Sequence, residues 1–448
     1  MKLLQRLLVC ICLLVCCSAH GQIITTVAGS GSVLGDGGFA SAALIDNPTG
    51  IAFNKSGELF IATGAGHRIR KIDTFGIITT VAGTGVAGYS GDNGLATAAQ
   101  INFASDIAID SSDNIYFSDA SNFTVRKIVS STGIITTICG NGISAYSGDN
   151  GFATAAQLNN PNGICLDKFG NIYISDNDMH VVRKINALGI ISRVAGTGVS
   201  GYNGDGIVAT TAKLYFPVGL ASDEIGNIYI ADQGNARIRK INPSGIISTY
   251  GGNGSTTYVG DGIPATTAQF SPNLLKFDRE NNLYFTAAPS RVFKIANSGL
   301  IYRVTGTGVS INSGDGGQAS EASVKRPFGL AFDGCNNLYL STIGASGDSD
   351  KIRKVHFNPE CWPLAVDDAH QNKPLTIYPN PATGTLHIDN LKAPATYTLY
   401  DVTGRVVATS QLTTGQNEIN TTHLSPGIYL LHLQHKDGTR EVHKIVKE

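Results

Sequence analysis

Charge is scarce in this chain: Asp, Glu, Lys and Arg make up 15% of its 448 residues. The 33 basic residues nearly balance the 34 acidic ones, so no electrostatic footprint for nucleic acid or an anionic membrane is present. Methionine (2) and tryptophan (1) are almost missing, while 53 glycines interrupt the sequence. That balance excludes a coiled coil or helical bundle and fits many short strands joined by turns. Beyond the first 21 residues no apolar run approaches the roughly 20 residues that cross a bilayer, so no transmembrane segment is expected.

The apolar run that does exist, Leu7 to Cys17, follows Lys2 and Arg6 and precedes Ala19-His20-Gly21. A charged start, a short apolar middle and a small-x-small end read as a signal peptide over residues 1–21. Lipid attachment at Cys16 or Cys17 is disfavoured, because Val15 or Cys16 precedes them where a small residue is usual. Four cysteines remain: Cys139, Cys165, Cys335 and Cys361. In an oxidising compartment, a Cys335–Cys361 bridge would pin the end of the array described next. Cys139 and Cys165 replace the Ala82 and Ala108 of sister repeats, and buried thiols or a bond both fit.

Self-similarity is the dominant signal. Gly-Asp recurs at Asp36, Asp92, Asp149, Asp205, Asp261 and Asp315, at spacings of 56, 57, 56, 56 and 54 residues. Each unit carries a short apolar strand such as Ile107-Ala-Ile, an Asx turn at Asp110 or its equivalents, and an alternating strand such as Asn114-Ile-Tyr-Phe-Ser. A third strand such as Ala236-Arg-Ile-Arg-Lys-Ile and a fourth such as Gly76-Ile-Ile-Thr-Thr-Val follow. Sheets with two apolar faces need a neighbour on each side, which ring closure supplies. The array opens with a lone fourth strand, Ile23 to Gly29, and stops after a third, Lys351 to Phe357, so one blade is expected to be shared between the two ends.

Asn227-Ile-Tyr-Ile-Ala-Asp232, Arg237-Ile-Arg-Lys-Ile241 and Gly76-Ile-Ile-Thr-Thr-Val-Ala-Gly83 resemble NHL-repeat β-propellers of the teneurin-like bacterial type, over about three quarters of the chain. The resemblance implies a six-bladed propeller with the loops between fourth and first strands on one face, around the channel mouth. Those loops run about 20 residues, and Thr97-x-x-Gln100 and Thr154-x-x-Gln157 match a capping box for one helical turn. Tyr89, Tyr146, Tyr202 and Tyr258 each stand three residues before the loop Asp. They are ligand-binding candidates that would stack on a sugar or grip a peptide, against the plainer reading that each packs its own loop.

Asp106, Asn162 and Asn273, near the starts of first strands, are the metal candidates, an oxygen set suited to calcium. His67 and His180 share one repeat position, which favours a common repeat role over zinc ligation. No nucleophile elbow, HExxH or P-loop occurs, so no catalytic residue is assigned. The Arg-Lys pairs at 70-71, 126-127, 183-184, 239-240 and 353-354 predict one buried Arg per third strand, paired to a turn Asp such as Asp119 or Asp232.

The repeats end at Cys361, and residues 362–373 read as a linker. Ile377-Tyr-Pro-Asn-Pro-Ala-Thr-Gly, Leu399-Tyr-Asp-Val-Thr-Gly-Arg405, Leu424-Ser-Pro-Gly-Ile-Tyr-Leu-Leu431 and Lys444-Ile-Val-Lys447 resemble the type A C-terminal sorting domain of the type IX secretion system of Bacteroidetes. The expected chain is all-β: signal peptide 1–21, six-bladed propeller 22–361, linker 362–373, and a small Ig-like sandwich 374–448 that the secretion machinery recognises. The expected role is a secreted or cell-surface module binding a glycan or protein. A metal-dependent hydrolase or lyase, and a structural or adhesive component, are the alternatives.

Overall fold

A computed structural model describes residues 22–259, 261–344, 350–357, 375–391, 393–401, 405–435 and 440–448. The signal segment 1–21, the linker 362–373 and Cys361 lie outside the described residues. The chain divides into two compact units, Met1–Trp362 and Pro363–Glu448.

Among the described residues the first unit holds six antiparallel sheets, and in five of them the first to fourth strands lie side by side in chain order. Blade 1 comprises Pro48–Phe53, Leu59–Thr63, Arg68–Ile72 and Ile78–Ala82; blades 2 to 5 repeat this over 104–139, 161–195, 217–251 and 271–305. Blade 6 combines Pro327–Phe332, Leu338–Thr342 and Lys351–His356 with Ile23–Ala28, the strand from the other end of the array. That strand is zipped along Lys351–His356 from Ile23↔His356 to Ala28↔Ile352. First strands touch one another in cyclic order around an axis, with blade 6 returning to blade 1.

The Asx turn forms as its residues predict. Asp110 Oδ1 accepts N–H bonds from Ser112 (2.8 Å) and Asn114 (2.9 Å), and Oδ2 accepts the Tyr116 hydroxyl (3.0 Å). Burial pulls this carboxyl upward, yet the bonds from Asn114, Ser112 and Tyr116 win and hold it below its ordinary value. Between blades the cores are apolar: Ala62, Ile69 and Ala82 of blade 1 share one buried cluster with Ile107, Phe117 and Ile128 of blade 2. Each such aliphatic or aromatic side chain stabilises by roughly 1.5–3 kcal/mol on burial.

The long loops take an unexpected course. Each runs along the outer edge of the blade it precedes, where Asn93 N–H meets Ile135 O (2.8 Å) and Ile135 N–H meets Gly94 O (3.0 Å). In blades 4 and 5 this adds a fifth strand, Ile207–Val208 and Ile263–Pro264. A buried alanine then ties two blades together: Ala96 donates to Gly133 O of its own blade and accepts from Gly83 N–H of the previous one. Ala40, Ala153, Ala209 and Ala265 repeat both bonds. The loops are long because they cover exposed sheet edges and join them into a belt.

The helical turn is present, as the 3-10 segment Ala96–Ala98, but no capping box forms. Thr97 lies inside the turn, and Leu95, which precedes it, makes no side-chain cap. Ala96 N–H goes to Gly133 O on the sheet edge, those of Ala98 and Ala99 close on Leu95 O and Ala96 O within the turn, and Gln100 N–H goes to Ser90 Oγ.

In the second unit, Thr376–Tyr378, Thr385–Leu391 and Gly415–Asn420 form one sheet, and Val406–Leu412, Ala395–Asp401, Gly427–His435 and Arg440–Lys447 another. Leu386, Ile388, Leu399, Leu431 and Ile445 share one core. Asn380 clips the Pro-Asn-Pro corner to the last strand, donating to Lys444 O and accepting from Val446 N–H, both at 2.8 Å.

Candidate functional site: the channel and its mouth

The Gly-Asp loops, with their tyrosines, belong to the rim and not to the channel mouth. Five of the six loop Asp residues bind the buried Arg of their blade's third strand: Asp36–Arg70 (2.6 Å), Asp92–Arg126 (2.7 Å), Asp149–Arg183 (2.8 Å), Asp205–Arg239 (3.0 Å) and Asp315–Arg353 (2.5 Å). The same guanidinium gathers loop carbonyls, as Arg183 does from Gln157 (2.8 Å) and Ser147 (2.9 Å). The expected turn partners are secondary, with Asp119 3.8 Å from Arg126 and Asp232 3.6 Å from Arg239. In blade 5 Phe293 replaces the Arg and packs on Tyr258 at 5.0 Å.

The four tyrosines complete these clusters. Tyr89 lies over Arg126, Tyr146 over Arg183, Tyr202 over Arg237 and Arg239, and Tyr258 over Arg291, at 4.0–5.2 Å. The hydroxyls of Tyr89, Tyr146 and Tyr202 bond Asp92, Asp149 and Asp205. Such a ring, with its face on a cation and its hydroxyl on a carboxylate, is engaged in holding its own loop.

The axis has a different lining. In every blade the register between first and second strands breaks after the first strand's opening residues. The freed backbone groups find hydroxyls instead: Ser175 Oγ accepts Gly163 N–H (2.7 Å) and donates to Val218 O of the next blade (2.5 Å). Thr286 and Ser341 do the same. Glycine is required where the strands close in, since a Cβ on Gly163 would meet Val218 O at 2.1 Å.

Two cavities follow. The mouth cavity, about 550 Å³, is lined by Asn162, Asn177, Gln233, Asn273, Arg326 and Phe328 among others. The Oδ1 atoms of Asn162 and Asn273 are buried there without a hydrogen-bond donor. The second cavity, about 230 Å³, lies further along the first strands and is lined by residues of all six blades, including Asp106 and Lys276.

The three metal candidates are therefore divided. Asp106 faces the second cavity, and its oxygens are taken by Ile107 N–H (2.9 Å) and by Ile164 N–H of blade 3 (3.0 Å). Burial lifts this carboxyl to about 6 against those two bonds and the attraction of Lys276. Asn162 and Asn273 share the mouth, where no carboxylate joins them among the described residues, so the trio by itself does not fit a calcium ion, which takes six to eight oxygens with carboxylates among them.

His67 and His180 each accept, through Nδ1, a backbone N–H of the next blade: Phe103 and Phe216, both at 3.3 Å. Cys139 and Cys165 are free and buried. Cys335 is disulfide-bonded, and Cys361, its expected partner, lies outside the described residues.

The mouth carries residues that motif reasoning missed. Asn47, Phe103, Asn160, Phe216 and Arg326, each just before a first strand, have φ of 53°, 65°, 67°, 50° and 39°. Left-handed backbone is costly for a bulky residue, on the order of 1–2 kcal/mol, and holds Phe103 and Phe216 more than a third exposed. Their shared place in the repeat was the available signal.

Residues 21–87, 129–202 and 198–260 match the family model of the Teneurin NHL domain. The array is an NHL-repeat propeller. Residues 376–448 match the secretion system C-terminal sorting domain, so the NHL propeller is exported to the cell surface or secreted. Mouse Teneurin-1 is 30% identical over 247 residues, 48% of this chain and 9% of that protein. Human Teneurin-4 is 29% identical over 231 residues, 46% of this chain and 8% of that protein. The chain thus spans about a tenth of the length of these relatives. A Bacteroides thetaiotaomicron protein of unknown function (TM-score 0.54, 19% identity, 75% of each chain) shares the fold. So does an auxiliary nutrient binding protein of that organism (TM-score 0.54, 16% identity, 75% of this chain and 76% of that one).

Proposed function

We propose that the NHL propeller is a ligand-binding module at the cell surface whose ligand is a glycan seated in the channel mouth. The segment 1–21 opens the export route, and the sorting domain, recognised by the type IX machinery, completes it. The observation that carries the ligand reading is the pair of buried amide oxygens, Asn162 Oδ1 and Asn273 Oδ1, facing one cavity with no donor. Buried acceptors left unpaired cost about 1–3 kcal/mol each, and sugar hydroxyls are suited donors. Asn177 and Gln233 add amide groups and Phe328 an aromatic ring, and the cavity falls in the usual range of roughly 300–1,000 Å³ for small-ligand sites. The auxiliary nutrient binding protein of like fold is in keeping with this reading.

Glycan-array screening followed by calorimetry tests it. A bound oligosaccharide should lose at least about tenfold in affinity in Asn162→Ala and in Asn273→Ala. Binding unchanged in the double variant, or no glycan bound at all, removes the proposal.

A further inference from the structure

The second cavity carries an opposed pair of charges. Six first strands share one pattern, and at its fifth position stand Ala52, Ala108, Cys165, Ala221 and Ala331, all buried. Blade 5 alone has Lys276 there. At the third position Gly50, Gly163, Gly219 and Gly329 recur, and blade 2 has Asp106. Blades 2 and 5 stand opposite each other in the ring, so both departures face the axis from opposite walls.

These two groups do not neutralise each other directly. Asp106 is held by two backbone N–H groups and makes no ion pair with Lys276 within 4.0 Å. The Lys276 ammonium has no acceptor among the described residues. Charged groups withdrawn from bulk water, as Asp106 is, are costly unless paired. At the position between Asp106 and Lys276, each strand contributes a branched aliphatic residue, from Ile51 to Leu330.

We propose that this cavity is a second binding site, taking a small aliphatic α-amino acid as its zwitterion. The ligand's ammonium pairs with Asp106, its carboxylate with Lys276, and its side chain rests on the Ile and Leu ring. A plain anion is repelled by Asp106 and a plain cation by Lys276, so only a ligand bearing both charges satisfies both walls. The site is separate from the mouth and does not depend on what the mouth binds.

Calorimetry of the full chain with leucine, 4-methylpentanoate and 3-methylbutylamine is the test, since the last two each delete one charged group. Leucine should bind at least about tenfold more tightly than either. Lys276→Ala installs the residue that sister strands carry and should fold; it should erase the preference for leucine over 3-methylbutylamine. Asp106→Asn should erase the preference over 4-methylpentanoate. Equal binding of the three compounds, absence of leucine binding at high millimolar concentration, or leucine affinity unchanged in Lys276→Ala overturns the proposal.

Discussion

Arg183 and Asp149 meet at 2.8 Å across 34 residues of sequence, the guanidinium fully buried and the carboxylate one-quarter exposed. Blades 1, 2, 4 and 6 repeat the pairing. Through it a strand inside the blade holds the loop that belts the rim, so the repeat's most regular motif serves the ring's integrity.

Removing the guanidinium should therefore be expensive. Arg183→Ala leaves Asp149 without its cation and the Gln157 carbonyl without a donor, and a loss of about 3–5 kcal/mol is expected. Asp149→Asn retains an acceptor and should cost less. Urea denaturation compares the two; equal, small shifts would show the pair to be dispensable.

Asp176 offers a stabilising change. Its equivalents Asp119 and Asp232 accept a side-chain bond at 2.8 Å from Asn122 and Asn235, three residues on. Blade 3 has Met179 at that place, and Asp176 Oδ2 is buried without a donor. Met179→Asn should raise stability by about 1–2 kcal/mol, read as a higher denaturation midpoint; a lower one refutes the assignment.

Mild acid should stabilise the propeller. Burial raises the carboxyls of Asp106 and Asp232 to about 6 and those of Asp119 and Asp176 to about 7. Since the unfolded chain protonates them only near 4, the folded state binds more protons between roughly pH 7 and 4, and stability rises as pH falls through that window. His356, lowered by burial, opposes this below about 6.5. Melting temperatures at pH 8 and pH 5 decide the sign: the higher value is expected at pH 5, with the difference reduced in Asp176→Asn.

Ring closure rests on the N-terminal strand. Deleting Gln22–Ala28 uncovers the edge of Lys351–His356 and the core around Ile24, which is fully buried. The truncated chain should unfold at lower denaturant and associate through that edge, visible as larger species in size-exclusion chromatography. A monomer of unchanged stability would contradict the closure.

Much of the fold was legible because repetition averages out local ambiguity. The Asx turns at Asp110 and Asp167, the alternation in Ile115–Asp119 and the shared last sheet follow from residues close in sequence or from the order of the pieces. The loop was misread for a physical reason. Thr97 and Gln100 have capping-box spacing, but Gln100 N–H, which the Thr97 hydroxyl would serve, is taken by Ser90 Oγ from earlier in the loop (3.1 Å), and the turn itself is anchored by Ala96 N–H on Gly133 O. Tyr89 and Tyr146 suggested a ligand because their partners, Arg126 and Arg183, lie 37 residues further along.

The sequence by itself determined the repeating unit, its strand order, the sharing of one sheet between the chain's two ends and the presence of a sorting domain, since each is written in periodicity or in a contiguous motif. Only the tertiary structure decided which polar groups meet. Asp106 and Lys276 are 170 positions apart and face one cavity because their strands lie opposite each other in a ring. Asn162 and Asn273 share the mouth because the register break opens there. Contacts across an axis depend on how the blades are placed around it, and no local run of residues encodes that placement.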